Sequence, residues 1–555
     1  MAKASMLNEN ESCVSSRRRV IARAGQRKLI GEKAAQPVFE RKSWRGTAKR
    51  VATTMWIVTL AIALSSIAQP RPGPGERPMR DPEAARPPFA VTHIPSAAGG
   101  EQGIAVGVLP PKTARYAEGA PVVIHVPGGV DKGQAVGPPE FAGLGFVEIY
   151  FAFPDGGEGE AASGGRYDFR GPNCLRALAD VIHFATGRLA DRQGRKLHEL
   201  LPGMKVLTKN VGVLGYSHGG NACGMVMATH GEEFSDLAFY ASMESPYGEG
   251  NVNIELGSRD ERLNPAYDPH TGVLDLSKLA WSAELRPGLP ARWESRRPGP
   301  QGALFFDLNG DNRFSESVDY PANAVIQDLG TGPKVWYSPR LVRQAEERNL
   351  YGGTRPAHMP SWAEAIEYWR WRDAAGSIPE AVRKCPEVAV IVYANHGDHV
   401  QIAPDHPHIL TQVEGFRQAG AKFVRLNPDR VYVERIFAAG GPAGPRARQS
   451  FADNDAGAAW DRNTIRGGLE PPGLPIAMYM QAAVCELADR VQVQNWTKNL
   501  NAVLFPDSPW TVLGGRKIGG PRDKRPPQAK PALGSVGATA ASGHFGESRP
   551  AGATR

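Results

Sequence analysis

Apolar residues in this chain fall into short dense runs separated by glycine and proline, and the runs come in two groups. The first group is Phe89–Ile94, Gly103–Leu109, Pro121–Pro127 (PVVIHVP), Phe146–Phe153, the run leading from Lys209 into Gly215, and Leu237–Met243. The second is Glu387–Ala394 (EVAVIVYA) and Ala421–Leu426. Dense runs of this length suit strands covered on both faces of a parallel sheet. Between them, Cys174–Leu189 carries apolar residues at helical spacing and a helix of small residues follows Gly220. Pro407–Ala419 reads as a further helix, with proline at an early position where its missing N–H is no loss. Strands alternating with helices predict an α/β class, a mostly parallel central sheet with helices on both faces.

The alternation breaks once. Roughly 140 residues separate Leu237–Met243 from Glu387–Ala394, far beyond an ordinary connection, so residues 246–386 are expected to form an insertion with structure of its own. It would lie between the sixth and seventh core strands, as a cap over the strand ends where open α/β sheets place their ligands. Ser361-Trp362-Ala363-Glu364 is a capping box that predicts a helix there, and Trp362, Ile366 and Trp369 give it a broad apolar face. Those tryptophans serve either the packing of the insertion or a substrate cleft. The expected organisation is therefore a leader with a signal peptide (1–68) and a proline-rich linker (69–88), then a core in two parts (89–245 and 387–505). The insertion interrupts the core, and a tail rich in Gly, Ala, Pro and Ser (506–555) should be disordered.

Composition changes this picture in one respect. The 555 residues carry a formal charge of +8, but residues 1–54 hold 13 Lys/Arg against 4 Asp/Glu, so the body is near neutral and gives no argument for nucleic acid. The basic flank leads into an uncharged run over residues 55–68, beginning Met55-Trp56-Ile57-Val58 and ending Ser66-Ile67-Ala68. That run is 14 residues, short of the roughly 20 a spanning helix needs, and its small-x-small end reads as a cleavage site. Secretion or periplasmic export is expected, with no stable membrane insertion after cleavage. Cys174, Cys223, Cys385 and Cys485 remain in the body; in an exported protein they permit one or two disulfides of undetermined pairing.

The stretch KNVGVLGYSHGGNACGMVMATHG, Lys209–Gly231, carries the chemistry. A strand pattern ends in Gly215-Tyr216-Ser217-His218-Gly219 and a helix pattern follows, the signature of a nucleophile elbow. On such a turn the residues two positions either side of the serine must be glycine, the serine hydroxyl stands clear of the sheet, and the next amide, that of His218, opens a helix N-terminus. Upstream, the strand Pro121–Pro127 runs into Gly128-Gly129, either a tight turn or a loop whose Gly129 amide supplies the other half of an oxyanion hole. The strand Glu387–Ala394 ends in Asn395-His396-Gly397-Asp398-His399.

Together the elbow, the HVPGG loop and the HGD strand end resemble the α/β-hydrolase superfamily, nearest its prolyl-oligopeptidase-like and secreted carbohydrate-esterase members, over roughly residues 100–245 and 385–500. The resemblance implies a triad in the chain order Ser, Asp, His, with Ser217 as nucleophile and Asp398 as acid. It also implies a histidine after the last strand, yet beyond Ala421 the only one is His544, in the tail. The base must then come from the cluster around the acid: His396, His399, His406 and His408. His406 and His408 open a helix whose dipole opposes an imidazolium. His399 is the preferred base, with Glu244 as an alternative orienter, and His125 stands as an outside candidate.

Inside the insertion, Asp307-Leu308-Asn309-Gly310-Asp311 begins a loop that resembles an EF-hand or dockerin-type calcium loop. Asp307, Asn309, Asp311, Ser315 and Asp319 are the candidate ligands. Asn312 replaces the sixth-position glycine, and Val318 at the twelfth position leaves Asp319 to close the set. A structural Ca2+ is expected to stiffen the insertion; a polar turn without metal is the alternative. No cofactor is expected for catalysis.

Two functions follow. One is a serine hydrolase, carboxylesterase or prolyl-oligopeptidase-like peptidase, cleaving an ester or amide of a small molecule, peptide or glycan through an acyl-enzyme on Ser217. The other is a catalytically impaired hydrolase-fold protein that binds a ligand or glycan.

Overall fold

Eight strands form the central sheet: β1 (Ala90–Ser96), β2 (Gly100–Leu109), β3 (Ala120–Val126), β4 (Val147–Phe151), β5 (Val206–Tyr216), β6 (Leu237–Met243), β7 (Ala389–Tyr393) and β8 (Phe423–Leu426). The computed structural model describes residues 89–248, 255–257, 262–287, 299–395, 398–400, 403–429, 432–433, 435–436 and 476–496, and the backbone of 512–513 and 516–517. The leader, the linker, His396, Gly397 and His544 lie outside these residues.

The strand order is β1-β2-β4-β3-β5-β6-β7-β8. β2 pairs antiparallel with both β1 and β4, and every other neighbour pair is parallel. Each strand found corresponds to an apolar run of the sequence. On β3 the period of two sends Val122, Ile124 and Val126 into one core and Val123 into a second, so both faces are apolar and the run does not alternate. Helices α1 (Pro172–Ala185), α2 (His218–His230) and α6 (Pro407–Gln418) cover the first core.

Helix α7 (Ile476–Val493) covers the second core, and no sequence pattern announced it. Its interior includes the fully buried Glu486, Asp489 and Arg490, so it has no polar stripe by which an amphipathic helix is recognised. The buried charges are paired. Arg490 bonds Glu486 at 2.7 Å, while Arg115 grips Asp489 through two bonds of 2.7 and 2.8 Å and the hydroxyls of Tyr116 and Tyr432 donate to the same carboxylate.

Between β6 and β7 the described residues build short sheets and the helices α3 (Pro339–Glu347), α4 (Trp362–Arg370) and α5 (Ile378–Lys384). The short sheets, α3 and α4 enclose a separate apolar core that includes Leu304, Phe306, Tyr337, Leu341 and Trp369, whereas α5 packs Ile378, Ala381 and Val382 into the first core. The capping box at Ser361 and Glu364 is formed. The apolar face of α4 differs from the expected one: Ala365, Tyr368 and Trp369 point inward, whereas Trp362 and Ile366, four residues apart, share the outer face at 39% and 42% exposure. Arg343 covers Trp362 in place of a core.

All four described cysteines are free and buried, so none of the disulfides that the sequence permits is formed among them. They stand in apolar packing on different elements, Cys174 on α1, Cys223 on α2, Cys385 beyond α5 and Cys485 on α7. Burial pushes the Cys174 and Cys385 thiols up to about 12, so they are unreactive. No helix among the described residues is long and apolar enough to cross a membrane.

The α7 contacts make a prediction. Asp489→Ala leaves the Arg115 guanidinium buried without its carboxylate, and should cost about 3–5 kcal/mol in urea unfolding. A midpoint unchanged within error would show that α7 does not seal the second core. The same melt run with and without reductant should coincide.

Candidate active site

At the end of β5 the chain passes through Ser217 with φ 49° and ψ −123°, a conformation that side chains rarely adopt. Close packing forces it. A Cβ on Gly215 would fall 2.5 Å from the Gly220 Cα, and one on Gly219 would fall 2.3 Å from the Val126 carbonyl oxygen, so the glycines flanking the serine let strand, turn and helix approach. The Ser217 amide donates to the Met243 carbonyl (2.8 Å) and the Gly220 amide to the Ser217 carbonyl (2.9 Å). His218 is the first residue of α2, so its amide belongs to the unsatisfied N-terminal set. Its Nδ1 is buried with no hydrogen-bond partner, and burial, with the charges of Arg170 and Arg372, pushes the imidazole down to about 3. The His218 ring is therefore neutral at physiological pH.

The loop after β3 stands against the elbow. A Cβ on Gly128 would sit 3.1 Å from the Ser217 Cβ, whereas Gly129, at φ 54°, has open space where its Cβ would be.

β6 lies between β5 and β7, and its end supplies the next group. The Glu244 amide donates to the Tyr393 carbonyl of β7 (2.9 Å). The Glu244 side chain is fully buried, accepting from Asn395 Nδ2 at 2.6 Å, His399 Nδ1 at 2.5 Å and the His399 amide at 3.2 Å. With Nδ1 held as a donor to this carboxylate, Nε2 is the nitrogen of His399 left to accept a proton.

Asp398, expected as the acid, is turned elsewhere. Its Oδ2 accepts from His408 Nε2 at 2.7 Å with His406 Nδ1 at 3.7 Å, and its Oδ1 accepts from the Val400 amide at 2.7 Å. Burial pushes this carboxyl up, but His408 and His406 outweigh it and hold Asp398 well below the usual carboxylate range. An oxygen of Asp398 remains within 4.8 Å of its counterparts on Glu244 and His399. The hydrogen-bonded carboxylate of His399 is nevertheless Glu244, and Asp398 fastens the loop to the start of α6. This corrects the pairing of Asp398 with the base, because the side chain of a residue adjacent in sequence to His399 leaves the backbone in another direction.

The other candidate histidines among the described residues are engaged elsewhere. His406 and His408 belong to the Asp398 cluster. His125 bonds Glu148 at 2.9 Å and stacks on Tyr150 with ring centroids 4.0 Å apart, in the wall of the second core. Asn395, which fixes the second oxygen of Glu244, was not singled out in the sequence; its position directly after β7 was the available signal. Among the described residues the Ser217 hydroxyl makes no hydrogen bond.

The calcium-like loop closes a hairpin whose last ladder pair is Phe306 and Tyr320, which sets Asp307 across from Asp319. Asp307 accepts from the amides of Gly310 (2.7 Å) and Asn312 (2.9 Å), and Asp319 from those of Leu308 (2.9 Å) and Ser315 (2.7 Å). Asn312 takes the left-handed conformation, φ 56°, that the sixth position requires. Oxygens of Asp307, Asp311 and Asp319 lie within 4.8 Å of one another, and no Lys, Arg or His among the described residues forms an ion pair with them. Asn309 Nδ2 donates to Asp311, while the Ser315 hydroxyl meets Ser317. This oxygen-rich, uncompensated donor set fits a hard cation.

No protein-family model matches the chain, and no curated protein matches it. Solved structures do match. An α/β hydrolase enzyme, MGS-M1, from a Medee basin deep-sea metagenome library is 11% identical over 30% of this chain and 60% of its own, with a TM-score of 0.21. A bacterial heroin esterase is 13% identical over 29% of this chain and 46% of its own, with a TM-score of 0.21. Carboxyl esterase 2 from the mycorrhizal fungus Tuber melanosporum is 13% identical over 77% of this chain and 98% of its own, with a TM-score of 0.31. The assignment of the fold rests on the chain itself. Its strand order, its single antiparallel strand β2 at the start of a parallel sheet, and a serine elbow after the fifth strand give it the architecture of the α/β-hydrolase fold.

Proposed function

We propose that the protein is a serine hydrolase that cleaves an ester or amide bond through an acyl-enzyme on Ser217. The observation that carries this reading is His399 held by the buried Glu244 beside the elbow, a histidine oriented by a carboxylate at the strand end next to the nucleophile's. In the mechanism, Ser217 Oγ attacks the carbonyl as its proton passes to His399 Nε2, and Glu244 stabilises the imidazolium. The amides of Gly129 and His218 receive the oxyanion. His399 then protonates the leaving alcohol or amine, and a water activated by the same nitrogen releases the acid. The insertion would act as a cap over the strand ends and shape the substrate pocket. Export through the signal peptide at residues 1–68 completes the reading.

A binding function without turnover is the second reading, favoured by the absence of a hydrogen bond on the Ser217 hydroxyl among the described residues. Such bonds often tighten only when substrate is present. A fluorophosphonate separates the two: the wild type should be labelled and Ser217→Ala should not. Lack of wild-type labelling, with no turnover of esters, peptides or acylated sugars, would favour the binding protein.

The acid is tested against the chain's own alternative. Glu244→Gln should lower kcat on a p-nitrophenyl ester about 10⁴-fold, and His399→Ala comparably to Ser217→Ala. Asp398→Asn should lose far less activity and mainly lower the melting temperature. The reverse ranking would return the acid role to Asp398.

The hairpin loop is proposed to bind Ca2+ through Asp307, Asn309, Asp311, Ser315 and Asp319, with a structural rather than a chemical role. A cation bound only by the folded state stabilises it by about 2.7 kcal/mol at a hundredfold excess over its Kd. Chelation should therefore lower the melting temperature of the wild type and leave Asp307→Ala, already lower, unmoved. A wild-type melt indifferent to calcium and chelator would show a plain polar turn.

A further inference from the structure

The turn that leads into α1 contains two consecutive non-glycine residues at positive φ, Phe169 (55°) and Arg170 (69°). Such conformations persist only where the surroundings hold them. Here Arg372, from the end of the insertion, donates from Nε to the Phe169 carbonyl (2.7 Å) and from Nη2 to the Asp168 carbonyl (2.5 Å). The Asp168 carboxylate anchors the other side through the amides of Asn173 (2.7 Å) and Cys174 (3.2 Å).

The turn delivers the Arg170 side chain into the interior, 1% exposed and packed over the Phe153 ring. Its Nη2 donates to three carbonyls of one loop: Pro127 at 2.7 Å, Asp131 at 2.8 Å and Gly128 at 3.3 Å. Its Nε and Nη1 are buried without a partner, and no carboxylate among the described residues pairs with it. A buried guanidinium lacking a counter-charge destabilises the resting fold, so its retention asks for a compensating role.

Peptide geometry supplies one. In a trans peptide the carbonyl and the following N–H leave on opposite edges of the plane. Arg170 gathers the Pro127 and Gly128 carbonyls to its side, which turns the amides of Gly128 and Gly129 away from it. The same loop packs Gly128 against the Ser217 Cβ. We propose that Arg170 is the positioning residue of the oxyanion-binding loop, its guanidinium aiming the Gly129 amide over Ser217 and its unpaired charge being balanced by the oxyanion of the tetrahedral adduct. This rests on the serine-hydrolase reading above.

The test compares wild type, Arg170→Met and Arg170→Lys, each checked for folding by melting. It measures kcat and KM on a p-nitrophenyl ester, and Ki for an alkylboronic acid that forms an anionic tetrahedral adduct on the serine. For Arg170→Met, kcat should fall about 10²–10³-fold with KM within about threefold, as when an oxyanion donor is lost. The boronate Ki should rise by the same factor. Arg170→Lys should recover about tenfold, since it restores charge without the planar fork. A folded Arg170→Met with kcat and Ki near wild type, or a loss confined to KM with Ki unmoved, overturns the proposal and leaves the hydrolase reading intact. If Arg170→Met does not fold, Arg170→Lys decides: parallel losses in kcat and boronate affinity support the role, and wild-type values of both overturn it. A wild type inert to ester and boronate overturns the hydrolase reading and this proposal with it.

Discussion

The active edge of this molecule depends on the backbone of Ser217 being kept at positive φ. A serine in that region costs on the order of 1–3 kcal/mol, which the chain must offset by packing around it. The offset comes from contacts that only glycine allows: Gly215 against Gly220, and Gly219 against the carbonyls of Val126 and Pro127. Because the second contact reaches β3, the elbow and the glycine loop are fixed relative to each other by one interface. Whatever holds Ser217 upright therefore also sets the loop packed against it.

From the elbow the site extends along adjacent strand ends by main-chain bonds. The Ser217 amide is tied to Met243, and the Glu244 amide to Tyr393, so Ser217, Glu244 and the end of β7 are in register before any side chain is considered. Side chains then separate two buried carboxylates of similar surroundings. Glu244 takes His399, which is partly exposed, and Asn395; Asp398 takes His408, which is fully buried. Of the two histidines, only that of the first pair reaches solvent. The second is a buried hydrogen-bonded pair that fastens the loop to α6.

This division shows what the sequence can and cannot carry. The strands and their order of appearance were readable because a sheet covered on both faces demands dense apolar runs, and the elbow because its flanking glycines are a steric necessity. The choice between Glu244 and Asp398 was not readable, since it turns on the direction a side chain takes just beyond a strand; Glu244 itself sits at φ 45°. The outward face of Trp362 escaped for a related reason: three apolar residues on a short helix fix a period, while the neighbouring core decides which side of it is inward. Helix α7 was hidden because its charges are buried: Glu486 and Arg490, four residues apart, read as an exposed helical pair, and Arg115, the partner of Asp489, is 374 residues away in sequence.

Buried charge elsewhere in the described structure follows a consistent rule, and the departures from it are informative. Glu148 has His125, Glu255 has Arg340, Asp191 has Arg195, and Asp489 has Arg115. Arg372 has no carboxylate, but its guanidinium donates to three carbonyls. Arg170 differs in keeping two nitrogens without partners, and the buried hairpin carboxylates Asp307 and Asp319 differ in being met by main-chain amides alone. A buried guanidinium without a counter-charge costs several kcal/mol, so the Arg170 arrangement is not expected to persist for packing alone. Under the proposals above, an oxyanion at the elbow balances the Arg170 charge, and a divalent cation at the hairpin offsets most of the negative charge of Asp307, Asp311 and Asp319. The two proposals thus share a single electrostatic argument, the incoming charge being transient in the first and resident in the second.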